Sequence, residues 1–297
     1  LGGCVYYSQN REDLVLLSFF PDKQKGVYVD VGGYDPDIDS VTKLFYLQGW
    51  HGVNVEPQVD RFKLFEKHRP RDINVNAGIS TKEGTLTLRT YKSQGLSTFS
   101  DEVKRDYEKS PGTDTKEFSE AIVPVRPLKD VLAENNITHI DFMKVDVEGL
   151  EYEVLASNDW KKFRPEVLCI EANHVKHDWH PMLKELGYEL VFDDGLNEYF
   201  ADSKTDRKQK FNYVEDVITK RGGGLRTEHY EMMLQLYKYA IEKENHVQEL
   251  SAENERLMGI IKEYEHRLAQ YDVAHSSIKS TTGRLVRLTS RKLTRKQ

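Results

Sequence analysis

The strongest constraint on this chain is an alternation of short β-branched runs with helical patterns between residues 26 and 202. Strands separated by helical segments are typical of a parallel α/β sheet. Seven runs have the length and composition of strands: VYVDV (27–31), GVNVE (52–56), INVNA (73–77), DFMKVDV (141–147), VLCIEA (167–172), YELVFD (188–193) and EYFAD (198–202). The nearly continuous apolar content of the first five indicates burial on both faces of the sheet.

The end of this region departs from a purely parallel pattern. The last two runs flank the turn signal DGLN, which predicts an antiparallel hairpin. A parallel sheet that ends in an antiparallel hairpin resembles the Rossmann-like class I methyltransferase fold, whereas dinucleotide-binding Rossmann domains usually stay parallel. Between the third and fourth runs, the polar and poorly periodic residues 96–120 predict a loop or small insertion over the site.

The C-terminal part has a different periodicity. A 3,4 spacing holds from Met233 to Tyr271, and ten of its twelve positions are apolar, which predicts an α-helical coiled coil. Asn254 at an a position favours a parallel homodimer, while Ile260 beside the seam leaves a trimer as the alternative. We therefore divide the chain into a methyltransferase-like domain (1–221), a Gly-rich joint (222–227), the coiled coil (228–275) and a basic tail (276–297).

Charge and cysteine content limit the partners and the compartment. The net charge is −6, and because the basic tail contributes seven cations and no acid, the remainder carries −13. An acidic body argues against nucleic acid as a partner. The tail either lies on an anionic membrane surface or is solvated. Two cysteines, Cys169 among them in an apolar run, and no apolar stretch near 20 residues predict a cytoplasmic protein, either free or peripheral at the inner membrane face.

The first strand leads into a ligand crevice. Asp30 lies near its carboxyl end, and Gly32 and Gly33 let the backbone approach a ligand. The pattern G-x-G-x-x-G is absent, and an acid in this turn would repel a pyrophosphate but suits the positively charged methionine portion of S-adenosylmethionine. Glu56 ends the second strand, where a carboxylate can accept both ribose hydroxyls of an adenosine ligand. Asn76 ends the third strand and either meets the adenine or caps the following turn.

Six motifs in this order carry a family resemblance: SQNREDL, VDVGGYDPDIDSVTKLFYLQGWHGVNVEP, RPRDINVNAGIS, LSTF, DFMKVDVEGLEYEVL and DDGLNEYF. Over roughly residues 6–202 the chain resembles the FkbM-type S-adenosylmethionine-dependent methyltransferases, and KVDVEGLEYEVL is the most specific part. Gly33, Tyr34 and Pro36 stand at or near the Ala, Asn and second Gly of the commoner pattern V-D-V-G-A-N-x-G-x-x-S. The chain is closer to a branch with Pro, then D-S-x-T, F-Y and G-W-x-G-x-N-x-E-P.

The resemblance implies O-methylation, typically of a sugar hydroxyl in a surface polysaccharide or lipid-linked glycan. It implies cofactor contacts by Gln9, Asp30, Gly32 and Glu56, and the strand ends add Gly33, Asn76 and Asp146 as candidates. Acceptor choice is expected in the loop after Leu96 and in the DDGLN turn, with Ser97 and Asn197 as candidate substrate contacts. Ser8 alone reads as the cap of a helix start.

Candidate catalytic groups follow the fourth and fifth strands. Asp146 and Glu148 belong to the site, whereas Glu151 and Glu153 fall in the first turn of the next helix, where the dipole favours negative charge. His174, just after the fifth strand, is a candidate base with an unperturbed pKa near 6.5 or a plain surface histidine.

Two functional alternatives and one metal hypothesis accompany this interpretation. Asp146, Glu171 and His174 form a candidate facial set for Mg²⁺. The first rival is a nucleotide-sugar or NAD-dependent oxidoreductase. The second is a non-enzymatic scaffold, held together by the coiled coil, whose Rossmann-like domain binds a ligand without turnover.

Overall fold

The computed structural model describes residues 5–91, 97–109, 118–173, 175, 177–212, 225–226, 259–260, 262–263 and 267–268. The strands are β1 (Val5–Tyr6), β2 (Val27–Val31), β3 (His51–Val55), β4 (Ile73–Val75), β5 (Gly78–Ile79), β6 (Gly84–Tyr91), β7 (Ser97–Thr98), β8 (Phe118–Arg126), β9 (Phe142–Val145), β10 (Val167–Glu171), β11 (Tyr188–Asp193), β12 (Asn197–Asp202) and β13 (Leu225–Arg226). The helices are α1 (Glu12–Leu17), α2 (Lys43–Leu47), α3 (Val59–His68), α4 (Asp101–Lys109), α5 (Leu128–Glu134), α6 (Glu151–Ala156), α7 (His180–Glu185) and α8 (Arg207–Lys210).

The chain divides into two compact units. One is Tyr7–Tyr213, and the other joins Leu1–Tyr6 to Val214–Gln297. In the second unit, β1 pairs with β13 in parallel. The predicted coiled coil and basic tail lie almost wholly outside the described residues, and the described helical residues 259–260, 262–263 and 267–268 include a buried Leu268 and an exposed Ile260. In the described part of the chain, no helix has the length and apolarity of a membrane span.

The first unit is built on a seven-stranded sheet of order β11-β12-β10-β9-β2-β3-β4. All neighbours are parallel except β12, which is antiparallel to both β10 and β11. The predicted α/β fold with a terminal antiparallel hairpin is therefore confirmed. The pairing adds one point that turn signals do not give, namely that the last strand enters between β10 and β11 instead of joining the edge.

A second sheet of four strands, in the order β5-β8-β6-β7, occupies much of the segment between β4 and β9. Of the two alternatives predicted for residues 96–120, a loop or a small insertion, the described part is an insertion with regular structure, which comprises β7, α4 and the start of β8. The polar composition of residues 96–120 does not indicate this regular structure. Most side chains of β8 are exposed, and only Val123 and Val125 are buried. Helix α4 buries Val103 and Tyr107, which are four residues apart and pack with Tyr91 of β6.

The central strands bury both faces because alternate residues enter two separate cores. Met143 and Val145 belong to a cluster on one face, while Phe142 belongs to a cluster on the other. The second cluster is rich in aromatic rings, and the Phe142 ring lies 4.7 Å from Phe45 and 5.8 Å from Tyr28, centroid to centroid. Aromatic packing of this kind contributes beyond the buried area alone.

We expect the substitution Phe142→Ala to lower the free energy of unfolding by about 3–5 kcal/mol, because it removes a fully buried ring and leaves a cavity. Urea denaturation followed by circular dichroism measures the change. The control is Ile122→Ala in β8, whose side chain is 77% exposed and whose loss should cost no more than about 0.5 kcal/mol. Equal losses for the two variants would contradict the assignment of the core.

Candidate active site

One row of residues follows the carboxyl ends of five neighbouring strands. The register pairs Val31 of β2 with Val55 and Val145, and Val145 with Ile170. The next residue of each strand therefore reaches the same edge of the sheet, which gives the following order across it: Asn76, Glu56, Gly32, Asp146 and Glu171. This is the edge at which open α/β sheets bind their ligands.

Glycine is required at position 32 on two grounds. Its φ of +82° is in the left-handed region, and a Cβ built there would lie 1.8 Å from the carbonyl oxygen of Asp146. The loop after β2 and the loop after β9 therefore touch through their backbones. Gly33 is tight for another reason, because a Cβ there would lie 2.8 Å from the Phe65 ring.

Glu56 is buried and oriented by backbone amides. Its Oε2 accepts a hydrogen bond from the Tyr34 N–H at 2.8 Å, and its Oε1 accepts one from the Gln58 N–H at 2.7 Å. Burial raises the pKa of Glu56 to about 7, against the lowering effect of these two amides. A carboxylate has about four acceptor positions, so each oxygen keeps capacity for a ligand hydroxyl.

Lys144 lies between the acids of the site. Its Nζ donates to the carbonyl oxygen of Gly32 at 2.6 Å and lies 3.1 Å from Asp146 Oδ2 and 3.6 Å from Asp30 Oδ1. Burial alone would lower its pKa, but the carboxylates of Asp146 and Asp30 raise it instead, so the ammonium stays charged. Asp30 Oδ1 is buried and has no hydrogen-bond partner among the described residues, while Oδ2 accepts from Thr42.

Asp146, Glu148 and Glu171 form a group of three carboxylates with one oxygen from each residue within 4.8 Å of the others. Burial, reinforced by the charge of Asp146, raises the pKa of Glu148 to about 8. The same two causes raise the pKa of Glu171 well above its usual value. Asp146 and Glu148 are partly buried and Glu171 is buried, and carboxylates this close bind a proton or a cation readily.

The segment between β4 and β9, called the insertion below, contacts Glu148 at two points. The Tyr107 hydroxyl of α4 donates to Glu148 Oε2 at 2.5 Å, and the Thr98 hydroxyl of β7 donates to the Glu148 carbonyl oxygen at 2.7 Å. Glu148 itself has a φ of +54°, a conformation that is uncommon outside glycine. Both its backbone and its side chain are therefore held by residues of the insertion.

Glu151 was predicted to interact with the dipole of the helix through its place in the first turn, but it also orients the preceding loop. It is buried, and its Oε1 accepts hydrogen bonds from the Val147 N–H at 3.1 Å and the Gly149 N–H at 3.0 Å. Burial raises its pKa to about 7. Glu151 therefore fixes the loop that carries Glu148, whereas the helix α6 begins after Leu150 as predicted.

Several predicted contact residues have protein partners in the structure. The Asn76 amide donates to the carbonyl oxygens of Glu56 and Pro57, which lie in the loop after β3 and not in the turn after β4. Asn197 is buried and donates to Glu12 at 3.2 Å and Asp194 at 3.4 Å, so it joins the hairpin turn to α1.

The remaining predicted contacts lie at the N-terminus and in the insertion. Ser97 accepts from the Gln58 side chain at 3.4 Å, and Gln9 is exposed. The helix α1 starts after Arg11, and the Ser8 hydroxyl accepts a hydrogen bond from the Asp13 N–H in its first turn at 3.3 Å and donates to the Asp13 carboxylate. Ligand contacts by Gln9, Ser97 and Asn197 remain predictions.

The histidines near α7 divide into two groups. His174, the predicted base and metal ligand, lies outside the described residues. His180 is half-buried between two carboxylates, with Nε2 3.0 Å from Glu198 and Nδ1 2.6 Å from Asp178. The bond to Glu198 is the largest effect that raises the pKa of His180 to about 9, so this ring is an imidazolium in an ion-pair cluster.

Lys144 and Tyr107 belong to the site but were not predicted from the sequence. Lys144 had a usable signal, because a lysine inside a strand buried on both faces requires a charged partner. Tyr107 had none, because its segment is polar and the contact to Glu148 joins positions 41 residues apart.

A family model agrees with this geometry. The model described as the methyltransferase FkbM domain matches residues 30–190, which is just over half of the chain and includes the loops after β2, β3, β9 and β10. The chain belongs to the FkbM methyltransferase family. Membership supports S-adenosylmethionine as the methyl donor of this FkbM protein, and the predicted family is thereby confirmed.

Solved structures add only distant likenesses. One is M. capricolum TrmK in complex with S-adenosyl-homocysteine, at 9% identity and a TM-score of 0.34, covering 89% of this chain and 98% of that one. Another is Streptococcus pneumoniae Sp1610, described as a putative tRNA (m1A22) methyltransferase, at 10% identity and a TM-score of 0.31, covering 85% and 96%. At such scores neither likeness bears on the acceptor. No protein with a curated description matches this sequence.

We expect Lys144→Met to lower the free energy of unfolding by about 3 kcal/mol, because it leaves Asp30 and Asp146 without their shared cation. Methionine keeps most of the side-chain length, so the loss reports charge and not packing. Urea denaturation measures it, with Lys82→Met at an exposed position as the control. Wild-type stability in Lys144→Met would mean that the two acids need no cation.

Proposed function

We propose that this FkbM methyltransferase transfers a methyl group from S-adenosylmethionine to a hydroxyl oxygen of a sugar, in a surface polysaccharide or lipid-linked glycan. The observation that carries the proposal is the group of three carboxylates, Asp146, Glu148 and Glu171, beside the glycine loop after β2. A hydroxyl is a poor nucleophile until its proton is removed, so an O-methyltransferase needs a proton acceptor at this place.

The residues after β2 and β3 suit the cofactor. S-adenosylmethionine, when bound, supplies a methyl group activated by a positively charged sulfonium. Asp30 offers a buried oxygen with no hydrogen-bond partner among the described residues, and Glu56 keeps acceptor capacity for ribose hydroxyls. Burial raises the pKa values of Glu56 and Glu171, and a cationic ligand at this edge would lower them again and so be bound by the ionised carboxylates.

The carboxylate group would take the proton of the acceptor hydroxyl. In the transfer the methyl carbon leaves sulfur, the electron pair of that bond stays on sulfur, and the acceptor oxygen forms the new bond while its proton passes to a carboxylate. Glu148 is the best placed of the three, because the insertion fixes both its carbonyl and its carboxyl group. His174, outside the described residues, remains the alternative base.

The C-terminal region supports a role at a glycan assembly site. We propose that residues 228–275 join copies of the chain into a coiled-coil homo-oligomer and that the tail 276–297 contacts a membrane surface or a biosynthetic complex. The net charge of −6 disfavours nucleic acid as the acceptor. An oligomer at the inner face of the membrane would present several active sites to one growing glycan.

Methyl-labelled S-adenosylmethionine and a cell-envelope glycan extract should together give a labelled sugar ether, identified by mass spectrometry. Glu56→Ala and Asp146→Ala should each reduce the labelling rate about 100-fold or more, because they remove a cofactor contact and a site carboxylate. Glu153→Ala is the matched control. Glu153 lies in the first turn of α6, and its Oε1 lies 3.4 Å from His177 Nδ1 and not in the group of three carboxylates.

The atom that carries the label tests the proposed sugar O-methylation, and the behaviour of the variants tests the scaffold alternative. Label on nitrogen, on RNA or on no envelope component would contradict the proposal. Wild-type behaviour of the Glu56 and Asp146 variants in cells would favour the scaffold.

A divalent cation is a second use of the same carboxylates. Asp146, Glu148 and Glu171 would supply oxygen ligands of the type that Mg²⁺ prefers, and their ligand atoms are close enough for one ion. An ion there would stabilise the acceptor oxygen as an alkoxide. This set differs from the predicted one in that Glu148 stands in the place of His174.

If a divalent metal is used, prior treatment with EDTA should lower the labelling rate about tenfold or more, and added Mg²⁺ should restore it. Ca²⁺ at the same concentration is the control ion, because its larger radius and flexible coordination suit a different geometry. Full turnover after EDTA would rule out the metal.

A further inference from the structure

We infer that Tyr107 of the insertion is a positioning residue, which holds the Glu148 carboxyl group in the orientation that methyl transfer requires. This inference rests on the proposed function, because it assigns a task to a residue that acts through Glu148. It also gives the insertion a part in the chemistry in addition to any part in acceptor recognition.

The geometry of the contact supports the assignment. The Tyr107 hydroxyl donates to Glu148 Oε2 at 2.5 Å, at the short end of the range for O–H···O hydrogen bonds. Glu148 lies in the left-handed region of φ, and its neighbour Gly149 has a φ of +104°. Glycine adopts such a φ without strain, but a glutamate in the left-handed region needs fixed partners to keep this conformation.

Thr98 completes the attachment. Its hydroxyl donates to the Glu148 carbonyl oxygen at 2.7 Å and accepts from the Ser100 N–H at 2.9 Å. The strand β7 and the helix α4 thus approach Glu148 from its backbone side and its side-chain side. A single hydrogen bond could arise by chance between surface groups, but two to the same residue from one segment fix its orientation.

The donor is also suited to its task. Burial and the nearby Glu148 carboxylate raise the pKa of Tyr107, so the hydroxyl keeps its proton at neutral pH. The ring is held in turn by Tyr91, whose ring meets it edge to face with centroids 5.4 Å apart. Tyr91 and Tyr107 share one small core with Val103, yet Tyr107 reaches the site and the Tyr91 hydroxyl has no partner among the described residues.

These two tyrosines give a matched pair of variants. Tyr107→Phe should lower kcat about tenfold, because it removes the hydrogen bond that orients the Glu148 carboxyl group, while KM for S-adenosylmethionine stays within about twofold. Tyr91→Phe should keep wild-type kcat. Initial rates of methyl transfer to the glycan extract, at saturating S-adenosylmethionine, measure both.

A double-mutant cycle separates positioning from a general effect on stability. If Tyr107 acts through Glu148, the variant with both Tyr107→Phe and Glu148→Gln should be no slower than Glu148→Gln alone, within about twofold. Thr98→Val should slow transfer, and Thr98→Ser, which keeps the hydroxyl, should restore it. A wild-type kcat in Tyr107→Phe, or fully multiplicative losses in the cycle, would overturn the inference.

An acceptor-independent measurement tests the contact itself. In protein with ¹³Cζ-labelled tyrosine, the NMR signal that disappears in Tyr107→Phe should shift in Glu148→Gln, while the Tyr91 signal should not. An unmoved Tyr107 signal would overturn the inference whatever the activity. A shifted signal together with no methyl transfer by the wild-type protein would leave the contact in place and count against the proposed function.

Discussion

The ammonium of Lys144 is the interaction on which the site depends. It lies in the central strand pair, where it contacts the Gly32 carbonyl oxygen and the carboxylates of Asp30 and Asp146. Without this cation, two acids at the ends of adjacent strands would repel each other in a buried setting. One side chain therefore joins the loop after β2 to the loop after β9.

The insertion completes what the sheet begins. The sheet edge supplies the row of acids, but the loop of Glu148 and Gly149 has two residues with positive φ and needs further contacts. Glu151 fixes this loop by accepting hydrogen bonds from the Val147 and Gly149 amides. The insertion fixes it through Thr98 and Tyr107. The site therefore depends on two sheets, and the sequence predicted only the seven-stranded one.

The sequence predicted the first of these contributions well and the second poorly. Strand ends of a parallel sheet share an edge, so Gly32, Glu56 and Asp146 could be grouped from strand order alone. No such rule exists for the insertion, because most side chains of its strand β8 are exposed and its contact to Glu148 spans a long separation in sequence. Side-chain partners were also not predicted. The Asn197 amide donates hydrogen bonds to Glu12 and Asp194, and no local sequence pattern indicates these contacts.

The position of β12 affects how the chain can fold during synthesis. β12 is the last strand of the main sheet in sequence, yet it lies between β10 and β11. Until residue 202 has left the ribosome, β10 has one open edge and β11 has no neighbour at all, so the nascent sheet offers unpaired backbone groups to other chains. The fold thus makes completion of the sheet a late event, and a chain that stops before Asn197 would expose an aggregation-prone edge.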